Sequence, residues 1–177
     1  MSDSAPTGGP FLVFEIGEIG RPDTSADESS PDAFAIDVAH VLNVLEAEHV
    51  VQVPLSPAVV EGVLNHHGRI VTVIDPAPLL ELAPQPDPVA HVVILRRPGG
   101  IGGHIGLKVV RTQEIVAAAR LEEMALQGGA CVDRVVRRER HLIHIVSYDA
   151  LLSELSDQFA YQERADQPST GPQGVSP

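Results

Sequence analysis

Apolar residues in this chain gather in short, punctuated runs. Most of those runs carry the β-branched side chains that pack well on a pleated surface. Phe11–Ile16 predicts a first strand. Ala33–Val44 predicts a second, with Phe34, Ile36 and Val38 on one alternating face. Val50–Val53 predicts a third, and Arg69–Ile74 a strand whose apolar face is nearly continuous. In Pro54–Glu61, Ser56 followed by Pro57 suits the cap and first position of a short helix. Asp75-Pro76 predicts another short helix through Leu82, with Asp75 as its N-cap.

A proline-rich connector, Ala83–Pro88, then divides the chain. Beyond it His91–Leu95, Ile105–Val110, Cys131–Val136 and His141–Val146 read as strands. The Arg97-Pro98-Gly99-Gly100 turn and the Gly102-Gly103 pair separate the first two. Leu151, Leu152, Leu155 and Phe159 recur at helical spacing, so Ser147–Tyr161 predicts a closing helix with Ser147 as its cap. Many short strands with few helices point to an all-β fold, a sandwich or small barrels, rather than a parallel α/β sheet. The connector divides it into two similar lobes sharing one core, lobe one at about 11–82 and lobe two at about 89–146, followed by a helix at about 147–160. Met1–Pro10 and residues 161–177 have the composition of disordered tails, and residues 18–32 that of a long acidic hairpin loop.

Composition sharpens this picture. The 177 residues are 44% hydrophobic but only 3% aromatic, with no Trp, so the core must be aliphatic. The net charge of −12 argues against nucleic acid and against an anionic membrane surface, both of which need an excess of Lys and Arg. No apolar run reaches transmembrane length and no signal peptide is evident, which suits a cytoplasmic protein without direct membrane insertion. The single cysteine, Cys131, lies in a small apolar context and reads as a core hydrophobe.

The chemistry-bearing residues assemble no catalytic set. Eight histidines are scattered along the chain. His66 and His67 are adjacent, and neighbours on a strand point apart, so a shared metal ion is not expected. His141 and His144 fall on opposite faces of a strand. Gly99–Gly103 lacks the lysine and following helix of a phosphate loop, and no Gly-x-Ser-x-Gly elbow is present. No cofactor is expected. The arginine-rich stretch Arg134–Arg140 reads first as a solvated hairpin tip; the alternatives are a docking patch for an acidic partner or a contact with the acidic loop. Gly62, Asn65 and Gly68 read as turn-shaping residues, Asn and Gly being tolerant of left-handed backbone.

The ordered set of these segments resembles the CheW-like family of bacterial chemotaxis coupling proteins. Phe11-Leu-Val-Phe14-Glu-Ile-Gly17 is similar to the family's first strand and Phe34-Ala-Ile-Asp37-Val to its second. Pro54, Gly62-Val-Leu-Asn65 and Gly68-Arg-Ile-Val-Thr-Val-Ile-Asp75 are similar to its central signature, and Gly106-Leu-Lys-Val-Val to a strand of its second lobe. The resemblance implies two small five-stranded SH3-like barrels around a shared core. It also implies a non-catalytic adaptor that bridges the cytoplasmic tip of a methyl-accepting chemoreceptor and the regulatory domain of a CheA-type histidine kinase. Three departures stand out. The signature's usual Arg before the last Gly is His67, and its usual acidic partner falls at Asn43, so an ion pair becomes an Asn43–His67 pair. The third is the acidic insertion. Val41, Asn43, His67 and Arg69 are expected on or beside the partner surface. The alternative is a divergent member that binds a different partner or restrains the kinase outside chemotaxis.

Overall fold

The computed structural model describes residues 9–17, 33–47, 49–85, 91–96, 103–125 and 129–165, with side chains described through 161. Residues 1–8 and 166–177 of the expected tails, the acidic segment 18–32 and most of the glycine-rich turn after Leu95 lie outside the described residues, while 161–165, expected in the C-terminal tail, continue the closing helix.

Eleven strands and one α-helix make up the described chain. The strands are β1 (Phe11–Glu15), β2 (Ala33–Asp37), β3 (Val41–Glu46), β4 (Val60–His66), β5 (Arg69–Ile74), β6 (His91–Leu95), β7 (His104–Val109), β8 (Arg111–Val116), β9 (Glu122–Met124), β10 (Val132–Arg138) and β11 (His141–Val146); α1 is Tyr148–Ala165. A six-stranded sheet runs β8-β1-β2-β11-β10-β9 and a five-stranded sheet runs β3-β6-β7-β5-β4. All pairings are antiparallel except β2 with β11 and β5 with β7.

The fold is mostly β with a C-terminal helix, as the pattern predicts, but the sheets do not divide the chain at the connector. β1 and β2 pair with the late strands, while β3 pairs with β6 and β5 with β7 across Ala83–Pro88, and β4 pairs with β5. One sheet has six strands rather than the expected five. Three strands are added to the predicted set, β4, β8 and β9; the last two are largely exposed and polar, so neither carries an apolar run.

Strand alternation sorts the core. Phe11, Val13, Ala33 and Ala35 pack with Val136, Ile143 and Ile145 in a cluster belonging to the six-stranded sheet. Leu64, Val71, Val73, Val92 and Ile94 form the cluster of the five-stranded sheet. The intervening residues Leu12, Phe14, Phe34 and Ile36 meet Val93, Leu95, Leu107 and Val109 and the helix residues Leu151 and Leu155 in a shared core. β1 and β2 are buried on both faces, which is why they read as continuous apolar runs.

Several local expectations change. Ala33–Val44 is two strands, because Asp37 accepts the Ala39 N–H at 2.8 Å and caps a 3₁₀ turn, Val38–His40. Val50–Val53 contributes a single bridge, Val51 to Val63, rather than a strand. No helix follows Ser56, whose hydroxyl donates to Val53 O at 2.9 Å instead. Ser147 does cap α1, its hydroxyl accepting the Ala150 N–H at 3.4 Å.

Candidate functional site

The signature region is a hairpin rather than a turn leading into a strand. Gly62 and Asn65 lie inside β4. Gly62 has φ +153°, and a Cβ there would sit 2.3 Å from Val51 O, so glycine is required for the Val51–Val63 bridge to form. The chain reverses at His67 and Gly68, with φ of 51° and 79°. Two successive left-handed residues give the tight connection whose twist matches paired strands. Asn65 shapes this turn through its side chain and not its backbone: Oδ1 accepts the Gly68 N–H at 2.8 Å.

Asp75 is also not the cap of a helix. A 3₁₀ turn at Pro78–Leu80 starts after Ala77, which has no side-chain cap. The buried carboxylate of Asp75 accepts from Ala77 N, Gln85 N and Gln85 Nε2 at 2.8–2.9 Å. Lys108, the chain's single lysine, is 3% exposed and donates to Gln85 O and to Glu61 Oε1, both at 2.9 Å. Two buried charges are thus held by a ring of hydrogen bonds that pins the start of the connector between β4, β5 and β7, a structural role.

The expected partner residues gather at the other end of the five-stranded sheet. Its two edge strands, β3 and β4, meet there through side chains. Asn43 Nδ2 donates to His66 Nε2 at 3.1 Å, and Asn43 Oδ1 accepts the Val44 N–H at 2.8 Å. The partner of Asn43 is therefore His66 and not the expected His67. His66 ends β4 level with the β3 edge, whereas His67 occupies the left-handed turn position and is exposed. That backbone also brings the two rings together, edge to face at 4.3 Å, where strand alternation predicted them apart. Arg69, opposite His66 in the β4–β5 register, donates from Nη1 to His104 Nε2 at 3.2 Å. Val41 is half-buried, and its carbonyl accepts Arg96 Nε at 3.0 Å. Beside this seam lies a shallow groove of about 630 Å³ with an apolar lining that includes Leu45, Val51, Val63, Leu64 and Ile70. Val51 and Ile70 are more than half exposed.

The arginine-rich hairpin is tied within the six-stranded sheet. Arg134 pairs with Asp133 at 3.1 Å, Arg137 with Glu122 of β9, and Arg138 with Glu114 of β8. The hydrogen bond from Arg138 holds the Glu114 carboxyl below the usual glutamate range, and Glu114 in turn raises Arg138. Glu15 takes both Arg111 Nε and Nη2 at 2.8 and 2.7 Å and also Gln113 Nε2. Burial, and then the charges of Glu154 and Glu81, push the Cys131 thiol up, as suits a core residue. Among the described residues no three His, Cys, Asp or Glu side chains converge as metal ligands, and no helix is long and apolar enough to cross a membrane.

Residues 25–156 match the family model of the CheW-like domain. In fold the chain is similar to the crystal structure of the scaffolding protein TtCheW from Thermoanaerobacter tengcongensis. The two share 19% identity over 78% of this chain and 88% of that one, with a TM-score of 0.59. No curated protein matches its sequence. The family match spans more than half of the 177 residues and takes in every strand except β1, together with the Asn43–His66 seam: the chain belongs to the CheW-like domain family.

Proposed function

We propose that the chain is a non-catalytic cytoplasmic adaptor that couples chemoreceptors to a CheA-type histidine kinase. The observation that carries this reading is the family match over residues 25–156, supported by the fold of a scaffolding protein. The docking surface we assign is the β3–β4 end of the five-stranded sheet: Val41, Asn43, His67 and Arg69, joined by His66. An exposed apolar groove rimmed by polar side chains is the anatomy of a protein interface, with an apolar centre for affinity and a polar rim for selectivity. Titrating the chain with a kinase regulatory domain and with a receptor cytoplasmic tip tests the proposal. Binding to each in the micromolar range is expected, and no binding of either at high micromolar concentration sinks it.

The neutral Asn43–His66 contact favours a second reading, a member that restrains its kinase. A kinase assay in the presence of receptor separates the two. A coupling protein raises autophosphorylation and a restraining one lowers it.

A further inference from the structure

The chemistry of the β3–β4 seam fixes the protonation state that closes it. Asn43 Oδ1 is occupied by the Val44 N–H, so the amide presents Nδ2 to His66, and Nδ2 only donates. His66 Nε2 is therefore the acceptor, which requires a neutral imidazole with its proton on Nδ1. The same demand is made beside it. Arg69 Nη1 donates to His104 Nε2 at 3.2 Å, and a guanidinium has no acceptor to offer in exchange. A proton on either ring sets donor against donor. Turning the Asn43 amide over restores a bond only by giving up the Val44 N–H. At His104 protonation leaves two cations face to face.

The surroundings bias the outcome. His66 is faced by Asn43 and Glu46 of β3, by His49 after that strand, by His67 at the turn, and by Arg69 on β5. Glu46 is the one carboxylate among the described residues lining the groove, against two bases, His49 and His66. His104 meets Arg69 from β5, while α1 brings only Leu152, Leu155, Ser156 and Phe159 to the adjoining groove beside Gly103 and Ile105. An imidazolium at the seam thus enters a neighbourhood that already holds the Arg69 guanidinium.

We propose that the β3–β4 seam is a proton-labile latch on the docking surface. Neutral His66 and His104 hold it shut; protonation releases Asn43 and Arg69, loosens the edge over the apolar groove and makes the face cationic. The consequence for partner binding rests on the adaptor reading above, but the latch itself is a property of the free chain. It is tested there by NMR on the wild type, Asn43→Glu and His66→Gln. At pH 8 the His66 ring nitrogens are expected to report the Nδ1–H tautomer. Between pH 8 and pH 5.5 the exchange protection of the Val44 amide is expected to fall about fivefold, the size of one hydrogen bond. Asn43→Glu reverses the sign, because a carboxylate pairs with the imidazolium, and His66→Gln abolishes the dependence. An Nε2–H tautomer at pH 8, or the wild-type fall retained in both variants, overturns the latch. No partner is present in this experiment, so its failure leaves the adaptor reading standing, and failed kinase binding leaves the latch standing.

Discussion

In the six-stranded sheet, Arg138 of β10 reaches Glu114 of β8; in the five-stranded sheet, Asn43 of β3 reaches His66 of β4. Each contact ties together strands that are not paired through their backbones, so each sheet curls on itself around its own apolar cluster. The chemistry differs. One tie is a charge-assisted pair flanked by Arg137–Glu122 and Arg111–Glu15; the other is neutral and depends on an imidazole lone pair. The same geometric task is thus done by a contact that tolerates acid but is screened by salt, and by one that ignores salt but yields to a proton.

The comparison breaks first at what the sheets have in common. Phe14 is fully buried in the shared core. Phe14→Ala should cost about 3–5 kcal/mol in chemical denaturation. It should lower hydrogen-exchange protection in both sheets together. Loss in one sheet alone would show that the shared core does not couple them. Gly62→Ala is expected to cost about 2–4 kcal/mol, combining a 2.3 Å clash with backbone and a conformation unsuited to a side chain. Its effect should be confined to the five-stranded sheet, and a stability equal to wild type would refute the close approach to Val51.

Acid separates the two seams. Glu114 is held below its ordinary value by Arg138, so its stabilising contribution is fully present above the ordinary glutamate value of about 4.3. It is lost only as the pH falls through the lowered value. Protection around Glu114 should therefore survive at pH 5.5 while that around Asn43 declines, and a simultaneous decline would remove the distinction. Salt gives the smallest effect, in the opposite sense. Raising ionic strength to about 1 M, where the screening length is about 3 Å, should loosen the β8–β10 tie and leave the β3–β4 seam unchanged, as read from amide exchange at each.

The parts legible in the sequence were those whose own residues demand them. β1 and β2 are apolar on both faces because both faces are buried, and the helix periodicity of Leu151 and Leu155 reports the shared core. β8 and β9 were not legible. Their side chains are mostly exposed and polar, and it is pairing with β1 and β10 that makes them strands. Gly62 misled because glycine signals turns, yet here it admits a close backbone approach within a strand, while Asn65 does shape the turn but through its amide oxygen rather than its backbone. Asp75 had the position of a cap, but besides the Ala77 N–H its carboxylate holds Gln85, ten residues on. At the candidate site, Asn43 falls at the seam and Arg69 beside it on β5. His66 was overlooked because the family pattern points to the next residue, and only the left-handed backbone at His67 decides which imidazole faces β3.

The most direct test maps a kinase regulatory domain onto the isotopically labelled chain by chemical-shift perturbation. The adaptor account predicts the largest shifts at Val41, Asn43, His66, His67 and Arg69, with the six-stranded sheet little changed. Saturable shifts confined to β8–β11, or no shifts at high micromolar kinase domain, would contradict it.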